Sequence, residues 1–207
     1  MKKEETGMVK YNDQYLAGLV KIGMRKVDPK DIRPPQIKLI QKSSALGDFL
    51  DAEGKQANVG EFFHTGRLQI LKTFEAYILF AAKGKYTDRL KPEAGILLQY
   101  VAIGAMADDL TFFGMTFRKS AIFTLSPLFT AVISQKRPMF AIKVKFETKE
   151  LTGDKGSWFI PVLRIKGVET DEVTLDILER QAQIFDQKTD ELKVEEEEEE
   201  PKGEVPF

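Results

Sequence analysis

The sequence predicts a mainly β protein with flanking helices: a small antiparallel β-barrel followed by a disordered acidic tail. Three observations carry this reading. Several runs alternate apolar and polar residues with the two-residue period of a strand buried on one face. Two segments carry helix-start signals, Ser126-Pro127 and Thr170-Asp171-Glu172. Six consecutive glutamates at 195–200 sit in a segment that cannot bury enough apolar surface to order itself.

Taken in order, residues 1–33 are polar and punctuated by Gly7, Gly18, Gly23 and Pro29. They read as an arm with one short helix near 12–22. Pro34-Pro35 opens a strand at 36–41, and 42–57 reads as loop with a helical turn. Strands are expected at 58–63 and 67–82, around a turn at His64-Thr65-Gly66. In the second, Leu68, Ile70, Phe74, Ala76, Ile78 and Phe80 share the buried phase. Residues 83–95 read as a basic loop. The run 96–106 (ILLQYVAIGAM) fits a strand or a buried helix, and periodicity does not decide between them. A strand at 110–118 follows.

Ser126 reads as an N-cap with Pro127 in the first turn, starting a helix that Pro138 stops. An earlier start at Ser120, with a kink at Pro127, is the alternative. Leu128, Phe129, Val132 and Ile133 fall on one face. The clearest strand is 139–149, with Phe140, Ile142, Val144 and Phe146 inside. A turn at Gly153–Gly156 makes a hairpin with 157–166. A last helix runs from the Thr170-Asp171-Glu172 cap to about Lys188, with Val173, Ile177, Leu178, Ile184 and Phe185 on one side. Five or six short strands with one inserted and one terminal helix fit an OB-fold-like barrel best. The expected organisation is an arm (1–33), one folded domain (34–188) and a tail (189–207).

The charge is divided unevenly. The 207 residues hold 31 Lys and Arg against 32 Asp and Glu, a net of −1. Residues 186–207 hold ten acids and three bases, a net of −7. Residues 1–185 therefore hold 28 bases and 22 acids, a net of +6. A basic body joined to an acidic tail suits a polyanion ligand better than the total implies. The absence of cysteine excludes disulfides, thiolate metal sites and a cysteine nucleophile, and the single His64 excludes a histidine metal cluster. Asp108-Asp109 diverge if they lie on a strand, and Asp171-Glu172 read as ordinary capping. No catalytic residue, metal site or cofactor is expected. No apolar run reaches the ~20 residues of a membrane span. The amino-terminus lacks the apolar core of a secretory signal, so a cytoplasmic protein without membrane partners is expected.

The candidate chemistry is a binding surface. Phe62-Phe63, Phe112-Phe113 and Trp158-Phe159 are adjacent pairs, so each points one ring outward if only one face of the sheet is buried. A helix laid over the second face would instead make both rings core. Bases stack on exposed rings for about 1–3 kcal/mol each while cations follow the phosphates. The candidate stacking rings are Phe62, Phe63, Tyr77, Tyr86, Phe112, Phe113 and Trp158. The candidate phosphate contacts are Lys38, Lys42, Arg67, Lys83, Lys85, Arg118, Lys119, Lys143, Lys145 and Arg164. His64, in its expected turn, reads as a solvated side chain, with a phosphate or base contact as the alternative.

The chain ends Glu204-Val205-Pro206-Phe207, an apolar tip on an acidic leash. It has the parts of a docking peptide: a ring for a pocket and a carboxylate for a partner's cation. This ending resembles the acidic Pro-Phe tip of bacterial single-stranded DNA-binding proteins, with Val205 where Ile is common and Lys202-Gly203 interrupting the acids. The body is similar, more loosely, to the single-stranded DNA-binding proteins of tailed phages. The similar stretches are Pro35 to Gln41, Gly60-Glu61-Phe62, Pro138 to Thr148 and Gly156 to Gly167. The resemblance implies an OB-type fold without catalysis, sequence-independent binding of single-stranded DNA in replication, recombination and repair, host cytoplasm if viral, and recruitment of replication and repair proteins through the tip. A strand-annealing or mediator protein, and an acidic-tailed interaction or chaperone protein that binds no DNA, remain open. So do oligomeric state and the choice between DNA and RNA.

Overall fold

The computed structural model describes residues 34–87, 93, 95–153 and 156–198, with side chains described as far as Phe185. All belong to the unit Pro34–Phe207. The arm at 1–33, its expected helix, and the tip at 204–207 lie outside the described residues.

Alternation does build the strands: β1 (Ile37–Leu39), β2 (Phe62–His64), β3 (Gln69–Leu71), β4 (Phe74–Thr87), β5 (Ile96–Met106), β6 (Phe112–Arg118), β7 (Ile142–Gly153) and β8 (Gly156–Val168). Helix α1 (Ser126–Gln135) lies between β6 and β7, and α2 (Glu172–Glu198) follows β8. The strands form two antiparallel sheets, one ordered β1-β2-β3 and one ordered β6-β5-β4-β7-β8. In the larger sheet β4, β5 and β6 run as a meander, and β7 returns after α1 to pair with β4, which is a Greek key.

The larger sheet is not closed into a barrel, contrary to expectation. Its edges, β6 and β8, have no ladder between them. The segment containing β1 bridges them instead. At one end Gln36 pairs in parallel with Gly114, whose N–H donates to the Pro35 carbonyl at 2.7 Å. At the other, the Gln41 side chain imitates a strand: Nε2 donates to the Phe159 carbonyl at 2.7 Å and Oε1 accepts the Phe159 N–H at 3.0 Å. Both approaches are close, and the second needs glycine. A Cβ on Gly114 would stand 2.4 Å from Gln36 Nε2, and one on Gly60 (φ +89°) would stand 2.6 Å from the Phe159 ring.

Several boundaries differ from the sequence reading. Residues 58–61 are loop, and His64 lies inside β2 rather than in a turn. The run 67–82 is broken at Lys72-Thr73, and Leu68 (φ +48°) sits exposed in the turn before β3. The expected basic loop is strand as far as Thr87, because Lys83 to Thr87 pair in register with Tyr100 to Ile96. That ladder also settles 96–106 as a strand. Ser126 is the first helical residue of α1, after a separate 3-10 turn at Lys119–Phe123, and no side chain caps it. Phe140 lies in a 3-10 turn before β7. Helix α2 runs to Glu198, ten residues beyond the expected end and into the segment expected to be disordered, along a sequence rich in strong helix formers.

Both faces of the larger sheet are covered over much of their area. Between it, β1, β2 and α1 lies the main core, where Phe74 stacks on Phe146 at 4.9 Å and meets Phe62 and Phe113 edge-on. Each such buried ring contributes about 1.5–3 kcal/mol by burial. On the opposite face Leu178 and Phe185 of α2 cover Tyr77, Leu79 and Ala105. A register shift between Ile78 and Phe80 sends Phe80 to this second face, against the simple alternation. Ile133, Val173 and Ile184 are exposed, not core. A third cluster, Ile40, Ala57 and Phe63, closes the smaller sheet.

Candidate nucleic-acid interface

Burial in three separate clusters decides most of the expected site, with Phe62 and Phe113 in the main core, Phe63 under the smaller sheet and Tyr77 beneath α2. Phe62, Phe63, Tyr77 and Phe113 are 0–3% exposed, so they are core rings and no base can reach them. Tyr77 also donates its hydroxyl to Glu169, which accepts the Asp171 N–H at 3.0 Å ahead of α2. Burial first, then the Glu169 carboxylate, pushes the Tyr77 phenol up. Phe112 is half-buried and meets Phe185 of α2 edge-on at 5.4 Å. Among the expected rings this leaves Trp158 open to a ligand, with Tyr86 half-buried beneath the Arg118 guanidinium.

The cations divide in the same way. Arg67 is folded against Asp108 (3.0 and 3.2 Å) and also bonds Asp109. Those bonds raise its pKa and hold the Asp108 carboxyl below the usual range. Lys145 (2.9 Å) and Arg164 (2.7 Å) share Glu147, whose carboxyl they depress. Lys42 bonds Ser157 and lies 3.9 Å from Glu150. Lys38 and Lys143 each stand 5.7 Å from a ring centroid, over Phe49 and Tyr77. Exposed pairs contribute only about 0–1 kcal/mol and can be exchanged for phosphate, but Arg67, held in two directions and mostly shielded, is not a surface cation.

What the fold does bring together is the outer end of β4, β5 and β6. Lys83 and Lys85 project from β4 with no ion pair among the described residues, on the face shared with Tyr100 and Leu98, while Tyr86, next in the strand, points to the other face. Gly84, Gln99 and Arg118 lie in one cross-strand row. Arg118 Nε donates to Gln99 Oε1 at 2.8 Å, which lays the guanidinium over the Tyr86 ring, 4.4 Å from its centroid. Two residues on, Ser120 Oγ accepts the Trp158 indole N–H at 3.2 Å. The indole rests beside Gly153 and remains 37% exposed. The segment Arg118-Lys119-Ser120 therefore holds both rings, Tyr86 at Arg118 and Trp158 at Ser120, with Lys119 between. A cleft of about 360 Å³ opens beside it, lined by Tyr86, Ile96, Leu97, Leu98, Lys119 and Ile122.

Sequence reasoning missed Gln99, Ser120 and the exposed apolar residues Ile96 and Leu98. Once 96–106 is read as a strand, Ile96 and Leu98 fall in phase with Tyr100 but beyond the core, which is the signal that could have found them. His64 also departs from expectation. It is fully buried, with Nδ1 accepting the Gly66 and Arg67 N–H groups at 3.2 Å each, and can contact neither base nor phosphate. Burial first, then the Arg67 charge, lowers its pKa. Among the described residues no three His, Cys, Asp or Glu side chains are placed to hold a metal. None of the helices there is long and apolar enough to cross a membrane.

No protein-family model matches this chain, and neither a curated protein nor a solved structure gives a significant match.

Proposed function

We propose that this chain is a sequence-independent single-stranded DNA-binding protein with an OB-like body. Two rings, the exposed Trp158 and the half-buried Tyr86, fixed at either end of the cationic segment Arg118-Lys119-Ser120, carry the proposal. Stacking on the rings while phosphates follow Arg118 and Lys119, with Lys83 and Lys85 on the other face of the same strand end, is the chemistry that single strands need. The fold supports it too. A three-strand meander, a helix and a returning hairpin is the arrangement of the five OB strands. In such barrels the ligand lies on strands two and three between the first hairpin loop and the last. Here those are β5 and β6, the β4–β5 hairpin bearing Tyr86, and the β7–β8 hairpin bearing Trp158. The acidic tail and its Glu204-Val205-Pro206-Phe207 tip would recruit replication and repair proteins and compete with DNA for the cationic surface when DNA is absent. Work in replication, recombination or repair follows from that pairing of parts.

The test is quenching of the single Trp158 on titration with dT oligonucleotides at two salt concentrations. Saturable quenching that weakens with salt is expected. No binding at either salt removes the proposal and leaves the DNA-independent interaction protein. Fast annealing of complementary strands would instead favour the strand-annealing alternative.

A further inference from the structure

The cleft beside Tyr86 has a property that phosphate contacts alone do not explain: its walls are apolar and its surroundings are cationic. Ile96 is 71% exposed and Leu98 43%. Both lie in the strand phase that carries Ala102 and Met106 into the core further along β5, but here the phase runs past the core and out to solvent. Leu97 and Ile122 complete the apolar lining, and Lys119 joins it. Lys83 and Lys85 stand directly across the ladder from Tyr100 and Leu98. Contiguous exposed apolar side chains of this kind mark a binding site more often than an accident.

We propose that this cleft is a slot for a single unstacked nucleobase. The proposal rests on the single-stranded DNA reading above and adds what that reading leaves unassigned, a subsite for the base itself. Charge selects the occupant. The lysines call for a polyanion, and the apolar walls call for a flat apolar group attached to it. A nucleotide supplies both, whereas an inorganic polyanion or a run of glutamates supplies only the first. Tyr86 forms part of the wall while Arg118 covers its ring, so a phosphate that draws Arg118 also acts on the slot.

The test is the double variant Ile96→Ser and Leu98→Ser, titrated with a dT oligonucleotide across a salt series and, separately, with inorganic polyphosphate. Both side chains are exposed, so the melting temperature should not change. The single variant Ile96→Ser serves if it does. About a tenfold loss in dT affinity is expected at every salt concentration, with an unchanged salt slope because no cation is removed, and polyphosphate binding should be unaffected. Unchanged dT affinity overturns the slot while leaving DNA binding intact. Equal losses for dT and polyphosphate also overturn it, by assigning the effect to the charge layout. A wild-type chain that binds no dT overturns the slot and the function together.

Discussion

Replacing Gln41 with alanine tests how the open sheet is held. The Gln41 amide makes the two bonds to the Phe159 backbone, at 2.7 and 3.0 Å, that bridge the gap between β1 and the edge of β8. Alanine leaves one carbonyl and one N–H of Phe159 without these partners. Each would cost about 1–3 kcal/mol if fully buried. Phe159 is half-buried, so water recovers part of the loss and the expected sum is about 2 kcal/mol. For a folded body of this size about 1 kcal/mol moves the midpoint by about 2–4 °C, so the melting temperature should fall by about 4–8 °C. Urea and thermal unfolding followed by Trp158 fluorescence, one residue from the bridge, measure both quantities. Gln41→Glu keeps the length and the acceptor but sets a carboxylate against the Phe159 carbonyl, so it should cost at least as much. A loss below about 0.5 kcal/mol in both variants would show that Gln41 is an ornament and that the edges are held by other contacts.

Other outcomes follow from the same geometry. Arg118→Ala should reduce the salt slope of dT binding by about one unit, while Arg118→Lys restores the slope but not the full affinity, because an ammonium cannot replace the planar stack on Tyr86. His64 is buried with a lowered pKa, so the unfolded chain takes up its proton first as the medium is acidified. Its contribution is complete above about pH 6.5 and is lost below it, with a slope of up to about 1.4 kcal/mol per pH unit. Urea melts at pH 7.5 and 5.5 should show that loss, and His64→Gln should remove it. Glu147, Glu169 and Asp171 have depressed carboxyls, so their share is present above about pH 4.5 and is lost only in stronger acid. Deleting 187–207 should raise dT affinity at low salt, with the gain shrinking as salt screens the acidic segment. Unchanged or weaker affinity counts against the tail as a competitor.

The legible part of the fold was whatever one strand or helix decides alone. Alternation placed β7 and β8 because Ile142, Val144 and Phe146 face a single core, and the Gly153–Gly156 turn fixed the hairpin. What α2 would cover was not legible, since an apolar stripe on a helix does not name the sheet it meets. That unknown is why Tyr77 and Phe112 read as equal to Trp158, whereas Phe63 read so because nothing in the sequence says that Ile40, Phe49 and Ala57 fold over it. The register shift after Ile78 was hidden for a related reason, because a bulge relieves the packing of a sheet against two layers and leaves no mark on composition. The cationic segment was visible at Arg118-Lys119, but its pairing with Tyr86 needed the ladder that sets Gln99 between Gly84 and Arg118. The basic loop failed as a reading because Lys and Gly suggest solvent, and solvent-facing strand ends have the same composition.

The β1 bridge has a kinetic consequence. Pro35, Gln36 and Gln41 leave the ribosome early, yet their partners are Gly114 and Phe159, the latter 118 residues further along. At about 5–20 residues per second that interval lasts about 6–24 s. This contact is thus among the most distant in sequence, and its loop-closure entropy must be met before the contact returns anything. Until Phe159 arrives, the nascent chain carries an unmatched amide at Gln41 and no cover for one edge of β1. The β1 bridge should therefore close late, and Gln41→Ala should change the rate of unfolding more than the rate of the early collapse.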